Sequence, residues 1–515
     1  MEPGNALSQL TKRFELRFLL LCMLLLGLAA GWLLTTRPRP RIEGEFLERE
    51  ELRQADGWLF QRLEDPAAEN RARACLALGR IRNPAAVEHL LKRLRDPAAS
   101  VRASAAFALG LLEDAQYLER TPREDVSAAL ADLLNDAGRT VVAAAAESLG
   151  RMRARPAARR LAACSAPLAI SLTAVARMEA TELAPWAAAW LRSDDQDSRW
   201  AATLALVEMG AVVDDDLRAS FVKLTRDRNN FVRAAAARGL GRAESSKDAI
   251  AALDHLTGDL DPKIRFEALA AMARLGDQTQ NETVVRMLGD TNENVAAQAV
   301  RTLGALGDAR ARPLLEQLRG ARRPLSTASV WALQALAAGD SVLLEEPPRD
   351  PLPDQEPPAE IGQPFSAARC QEIARTLGRR LRFETTDGDF DLALDYDNAP
   401  AAAERLYRSA VAGKLNNWSF VRVAPNGYIQ AGPGDPAAAP PPQRPQLSRA
   451  PFLRGSVGVV RSETDREGPE LFIALTSLPF AEGRYTHVGR LSSGDDIIDE
   501  ITVETSILRV SPVSR

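Results

Sequence analysis

The sequence predicts a multidomain chain: an N-terminal transmembrane helix, an all-α solenoid of repeated helix pairs, and a C-terminal, mostly-β closed barrel. Three observations carry this. Phe18 to Leu34 is an apolar run without a charge. From about 58 to 339 one short motif returns in register. Beyond 365 apolar–polar alternation, broken by turn residues, takes over. A chain of 515 residues also exceeds what a single core organises.

The first segment, "RFLLLCMLLLGLAAGWLL", spans about 25 Å as a helix, slightly short of a ~30 Å bilayer core. Thr35 and Thr36 extend it and Trp32 suits the interface. The expectation is a tail over 1–17 and a signal anchor over 18–36, with the lipid bilayer as a partner. A cleaved signal peptide competes, because Gly27, Ala29 and Gly31 are small. Trp32, Leu33 and Leu34 continue past those positions and favour retention. Lys12, Arg13 and Arg17 before the span balance Arg37, Arg39 and Arg41 after it. Only the short N-terminal tail then argues for an extracytoplasmic soluble part of a single-pass membrane protein.

The net charge of -4 and pI near 5.8 give no reason to expect nucleic acid as a partner. The histidines are His89, His255 and His487, and the four cysteines are far apart. No C-x-x-C or H-E-x-x-H spacing offers a zinc site.

The solenoid rests on "RDPAASVRASAAFALG" (95–110), "NDAGRTVVAAAAESLG" (135–150), "RDRNNFVRAAAARGLG" (226–241) and "GDTNENVAAQAVRTLG" (289–304). Each has an aspartate, an aliphatic residue five positions on, and a small-residue helix ending in Leu-Gly. Asp65, Asp96, Asp136, Asp227, Asp259 and Asp290 mark the copies. The aspartate is expected to cap the helix, and Gly79, Gly110, Gly150 and Gly241 to close it. Second helices fall at 87–94, 183–191, 282–288 and 311–318. No such pair buries its apolar face alone, so the pairs must stack. This region, taken as 45–339, resembles HEAT-like repeats, with a degenerate copy near 152–178. The resemblance implies a surface that binds a protein partner. Trp186, Trp190, Trp200 and Trp331 at helical spacing among alanines are expected to pack in the core, as are Cys75 and Cys164.

"EEPPRDPLPDQEPPAEIGQP" (345–364) marks a Pro-rich linker over 340–365. It predicts two domains that unfold separately. A helix over 366–381 should open the last domain, 366–515. The following order is strand "LRFETT", strand "DFDLALDYD", helix (399–411), strands "WSFVRVA" and "YIQAG", then "GSVGVV", "ELFIAL", "HVGRL" and "TSILRV". Asp387, Asp389 and Asp391 do not make a calcium loop, which would need glycine at Leu392 and glutamate at Asn398. They form the wet side of a hairpin. Mostly β with short helices, this order reads as a closed antiparallel barrel.

Four segments of it match one family in order. "FVRVAPNGYIQAG" is similar to F-H-R-V/I-I-P-x-F-M-x-Q-G-G, and "RGSVGVVRSETDREGPELFIAL" to R-G-x-L-S-M-A-(R/N)-x-x-x-x-x-x-G-S-Q-F-F-I-T. "EGRYTHVGRL" is similar to D-G-K-(Y/H)-T-V-F-G-(R/K)-V, and "GDDIIDEI" to the helix that follows. Residues about 380–512 thus resemble the cyclophilin family of peptidyl-prolyl isomerases.

A prolyl amide rotates over ~18–20 kcal/mol, between isomers only ~0.5–1 kcal/mol apart. The catalyst needs no nucleophile, metal or cofactor, and none is expected. It must seat the proline ring and offer a hydrogen bond to the prolyl nitrogen as it becomes pyramidal. The resemblance gives that donor role to Arg422, with Gln430 holding the arginine or the substrate carbonyl. It makes Phe472 the pocket floor, Phe480 the rim, and Tyr485 a neighbour of the substrate carbonyl. Five positions depart from the family. Gly427 stands for Phe, Tyr428 for Met, Ala481 for Leu, Glu470 for Gln and Val421 for His. Two walls are thus smaller, Tyr428 is placed to refill part of the pocket, and Glu470 to pair with Arg422. The resulting reading is a membrane-tethered isomerase that assists protein folding, its solenoid gathering a proline-containing client. The rival is a non-enzymatic membrane scaffold in which a weak or inactive cyclophilin-like domain only binds.

Overall fold

The computed structural model describes residues 41–114, 121–321, 325–338, 379–424, 427–433, 443–463 and 466–513. Among the described residues nine helices form a continuous row, each packed on the next. They are α1 (Ala68–Ile81), α2 (Ala99–Leu112), α3 (Arg139–Arg151), α4 (Leu168–Arg177), α5 (Gln196–Glu208), α6 (Asn230–Leu240), α7 (Pro262–Leu275), α8 (Glu293–Ala305) and α9 (Leu325–Ala338). A second set of helices, such as Val87–Arg93 and Lys247–Leu256, packs against them. The degenerate copy keeps its place, since α4 bridges α3 and α5.

The motif works differently from its expected reading. Each aspartate lies three residues before its helix begins, so it is not the cap. Asp96 accepts from the Ala98 amide at 2.9 Å, and α2 starts at Ala99. Its carboxylate also takes a two-pronged bond from Arg71 of the preceding repeat, at 2.8 Å on each side. Arg102–Asp136, Arg199–Asp227, Arg233–Asp259 and Arg265–Asp290 repeat that clasp. Each arginine comes six residues after an aspartate or its equivalent and also holds its own turn, as Arg102 does on the Asp96 carbonyl at 2.8 Å. The planar guanidinium suits this because its fork matches a carboxylate. The clasps hold the Asp96 and Asp136 carboxyls below the usual range.

The glycines are corrected too. Gly79, Gly110 and Gly150 lie within α1, α2 and α3 rather than ending them. A Cβ on them would stand 2.6 Å from Ala108 Cα, 2.8 Å from Ser148 Cα and 2.8 Å from Ala174 Cα. Gly241, just past α6, would meet Ala271 Cα at 2.8 Å. The glycines let consecutive helices touch backbone to backbone.

Among the described residues no helix is long and apolar enough to cross a membrane. The longest of them have 14 residues, against the ~20 apolar residues a bilayer asks for. This overturns the expected transmembrane helix and the single-pass membrane localisation. The stretch 18–36 on which both rested lies outside the described residues.

The C-terminal strands are β1 (Arg380–Thr385), β2 (Gly388–Leu394), β3 (Trp418–Val423), β4 (Tyr428–Gly432), β5 (Ser456–Glu463), β6 (Arg466–Ala474), β7 (His487–Ser493) and β8 (Ser506–Pro512). They close into a barrel in the order β1-β2-β7-β5-β6-β4-β3-β8, every pair antiparallel. Leu381, Phe390, Leu392, Phe420, Ile429 and Val488 fill it. Helix α10 (Pro400–Val411) packs on β7 and β8, and α11 (Ile497–Glu500) on β2. Residues 380 and 381 belong to β1 and 379 is a bend before it, while 366–378 of the expected helix lie outside the described residues, as does the 340–365 linker.

The barrel sits against the row of long helices, which linker composition did not suggest. Arg80 at the end of α1 donates to the Leu447 and Asn398 carbonyls at 2.8 and 3.1 Å. Arg405 pairs with Glu51 at 2.6 Å, Arg449 with Glu147 at 2.9 Å, and Lys263 with Asp499 at 2.8 Å. Asn294 of α8 reaches the Ile501 carbonyl at 3.2 Å, and Phe107 and Leu111 of α2 enclose Leu447. Contacts therefore run from the first repeats to α8. Two bodies that unfold separately do not fit this packing.

Candidate active site

Strand register brings the expected residues together. Arg422 on β3 pairs with Gln430 on β4, Gln430 with Phe472 on β6, and Phe472 with Gly458 on β5. Directly paired residues share a face of the sheet, so the row Arg422–Gln430–Phe472 runs across three strands. Gly458 ends it for steric reasons: a Cβ there would stand 2.3 Å from Phe472 Cζ. The Phe472 ring stacks on Phe452 with centroids 5.5 Å apart and meets the Tyr428 and Tyr485 rings edge-on at 5.8 and 5.2 Å.

Around this aromatic cluster lies a pocket of about 430 Å³. From the barrel it is lined by Gly427, Tyr428, Gln430, Phe472, Phe480, Ala481, Arg484 and Tyr485, among others. Five of the seven site residues expected from sequence are thus in its wall. Arg422 and Glu470 are not. Arg422 is exposed, with its guanidinium carbon 5.4 Å from the centre of the Tyr428 ring. Glu470 accepts a hydrogen bond from Gln430 Nε2, so the departure from Gln is absorbed by the neighbouring strand.

The rim loop is held by the solenoid. Arg151 of α3 donates to the Gly483 carbonyl at 2.6 Å, and Arg177 of α4 to the Pro479 carbonyl at 3.0 Å. Gly483 has φ +63, and a Cβ on it would stand 2.0 Å from the Arg151 guanidinium nitrogens. Phe480 leaves the barrel and packs against the solenoid core, 5.7 Å below the Arg177 guanidinium. Burial pushes the Arg177 guanidinium down to about 9, helped by Arg151 and Arg484. Burial likewise pushes the Glu482 carboxyl up to about 7, with Glu147 adding to it.

Behind Tyr485, the fully buried Glu467 accepts from the Thr486 amide at 2.9 Å and from Gln443 Nε2 at 3.3 Å. Burial raises its carboxyl to about 7 against the pull of those bonds. Sequence reading missed this residue, and it missed Arg151 and Arg177. A signal existed for the first arginine: Leu-Gly-Arg recurs at Arg80, Arg151 and Arg242, and each reaches beyond its own repeat.

Residues 380–513 match the family model described as cyclophilin type peptidyl-prolyl cis-trans isomerase/CLD, and residues 55–121 and 251–336 match HEAT repeats. A Brucella suis protein named "Probable peptidyl-prolyl cis-trans isomerase" is 31% identical over 131 residues, which cover 22% of this chain and 67% of that protein. The chain belongs to the cyclophilin-type peptidyl-prolyl cis-trans isomerases. A Helicobacter pylori peptidyl-prolyl cis-trans isomerase is 26% identical over 142 residues, 25% of this chain and 83% of that one. The solved structure of a Cryptosporidium parvum cyclophilin type isomerase covers 27% of this chain and 99% of its own, at 18% identity and a TM-score of 0.25. The cyclophilin match spans the strands from β1 to β8, and the HEAT matches fall on the helices before them.

Proposed function

We propose that this cyclophilin catalyses cis–trans isomerisation of Xaa-Pro bonds in a protein client, and that the helical row holds that client. The observation that carries the reading is the row Arg422–Gln430–Phe472 ending on an aromatic-walled pocket. Phe472 and Tyr485 offer the proline ring an apolar seat. Rotation of the prolyl amide removes nitrogen's conjugation with the carbonyl and leaves a lone pair that can accept. Arg422, always charged and planar, is the donor at the pocket edge. Gln430, held by Glu470, is placed between the arginine and the ring seat. No bond is made or broken, so fixed donors and a shaped pocket suffice.

The test is prolyl isomerisation measured on the full chain, by NMR exchange of a proline peptide and by refolding of a proline-limited protein. Catalysis of both is expected, with the refolding effect larger because the client gains contacts on the helical row. Phe472→Ala should abolish the first. Binding of proline peptides without any acceleration of exchange would refute catalysis and leave a binding module.

A further inference from the structure

The barrel does not build its pocket alone. Trp200 and Leu204 of α5, Phe231, Ala234, Ala235 and Arg238 of α6, and Phe266 of α7 line the same 430 Å³ cavity as Phe472 and Tyr485. We infer that the aromatic side chains Trp200, Phe231 and Phe266 of the solenoid form a specificity subsite of the isomerase, one that takes an aromatic residue flanking the substrate proline. This rests on the proposal that the pocket seats proline.

Gly427 and Ala481 leave the barrel side of the pocket without large walls, and both line the cavity that the three rings complete. All three rings are half-buried, Trp200 and Phe266 against the solenoid core, and all three line the cavity with the surface they keep. The charges there are already engaged or balanced. Arg238 bonds Glu267 at 2.6 Å with Glu208 at 3.8 Å, and Arg484 lies on the barrel side. Two arginines against two glutamates give no net field to favour a charged flank. An aromatic side chain, which gains most from edge-on and offset ring contacts, fits this wall best. The occupant is a peptide rather than a free small molecule because the cavity is continuous with the Phe472 seat, so one chain reaches both.

The test uses the full chain and two tetrapeptides, Ala-Phe-Pro-Phe and Ala-Ala-Pro-Ala, with Kd from calorimetry and kcat/KM from NMR exchange. The wild type should prefer the aromatic peptide by about tenfold, the range a hydrophobic subsite gives. Trp200→Leu should cut that preference to about two- to threefold, and the pair Phe231→Leu with Phe266→Leu should do the same. Binding of the alanine peptide and the Tm should stay within about twofold and a few degrees. A wild-type preference near one overturns the inference, and so does a preference that survives in folded variants. If Trp200→Leu fails to fold, the Phe pair and the wild-type ratio still decide. A Kd preference that the variants lose, with no turnover of either peptide, would support the subsite while refuting the isomerase reading.

Discussion

Arg449 and Glu147 join the barrel to α3 through a two-pronged pair, Nε to Oε2 at 3.0 Å and Nη2 to Oε1 at 2.9 Å. Their side chains are 30% and 12% exposed, between a surface pair and a buried one. Surface pairs couple by ~0.2–1 kcal/mol, whereas removing one member of a buried pair costs ~3–5 kcal/mol. The expected cost of Arg449→Met is therefore about 2 kcal/mol, and the coupling in a double-mutant cycle about 1–2 kcal/mol. The two single variants should differ. Without Arg449, the Glu147 carboxylate is left near Glu482, whose carboxyl is already raised to about 7 by burial and by Glu147. Without the Glu147 charge, Arg449 still has Glu482 as a favourable neighbour. Glu147→Gln should thus cost less than Arg449→Met. Urea unfolding of the full chain, followed together by tryptophan fluorescence and circular dichroism, reads all four species. Coupling within about 0.3 kcal/mol of zero, or two separated transitions in the wild type, would refute a barrel docked on the helical row.

Two further outcomes test the stacking and the buried carboxyls. Gly110→Ala places a Cβ 2.3 Å from Ser148 Oγ and 2.8 Å from its Cα, so it should cost about 1–3 kcal/mol despite alanine's helix preference. Gly57→Ala, where nothing lies within 4 Å, should change stability by less than ~0.5 kcal/mol, and equal effects in thermal unfolding would contradict the close-approach argument. Glu467 has a folded pKa raised to about 7 from an ordinary 4.5, so below about pH 4.5 it adds no ionisation cost to folding. The cost grows as pH rises and reaches about 3 kcal/mol above pH 7, at 1.36 kcal/mol per unit. Glu467→Gln should flatten the fall in stability between pH 5 and 7 and raise Tm at pH 8, with the remaining slope due to Glu482. An unchanged pH profile would show that Glu467 is not buried as a carboxyl.

Local pattern revealed the repeats, because each copy must bury the same small-residue face, and revealed the strand order, because barrel strands alternate. Family motifs placed Tyr428, Gln430, Phe472, Phe480 and Tyr485, which do line one pocket. What stayed hidden depends on partners far away in the chain. Asp96 looks like a helix cap until Arg71 is seen to hold it. Gly110 looks like a helix end until Ser148 is seen against it. Nothing local marks Arg80, Arg151 and Arg177 as barrel-binding, yet all three are buried and bond barrel carbonyls. Trp200 reads as core, and it is partly core, but its remaining surface closes a pocket whose other wall lies more than two hundred residues later. The composition of 18–36 suggested an anchor; that stretch lies outside the described residues, and the described helices offer no membrane span.

Arg422 is proposed to stabilise the twisted prolyl amide at the edge of this pocket. The direct measurement is kcat/KM for cis–trans exchange of a proline peptide by the full chain, wild type against Arg422→Ala and Arg422→Lys. A charge-assisted hydrogen bond is worth ~1.5–3 kcal/mol. At 1.36 kcal/mol per decade, Arg422→Ala should lower kcat/KM about ten- to a hundredfold or somewhat more. Lysine should not restore it, because an ammonium lacks the planar fork. Peptide affinity and Tm should hardly move, since Arg422 is exposed and outside the pocket wall. An Arg422→Ala chain that binds the peptide and turns it over within about twofold of the wild-type rate would rule out Arg422 as the donor.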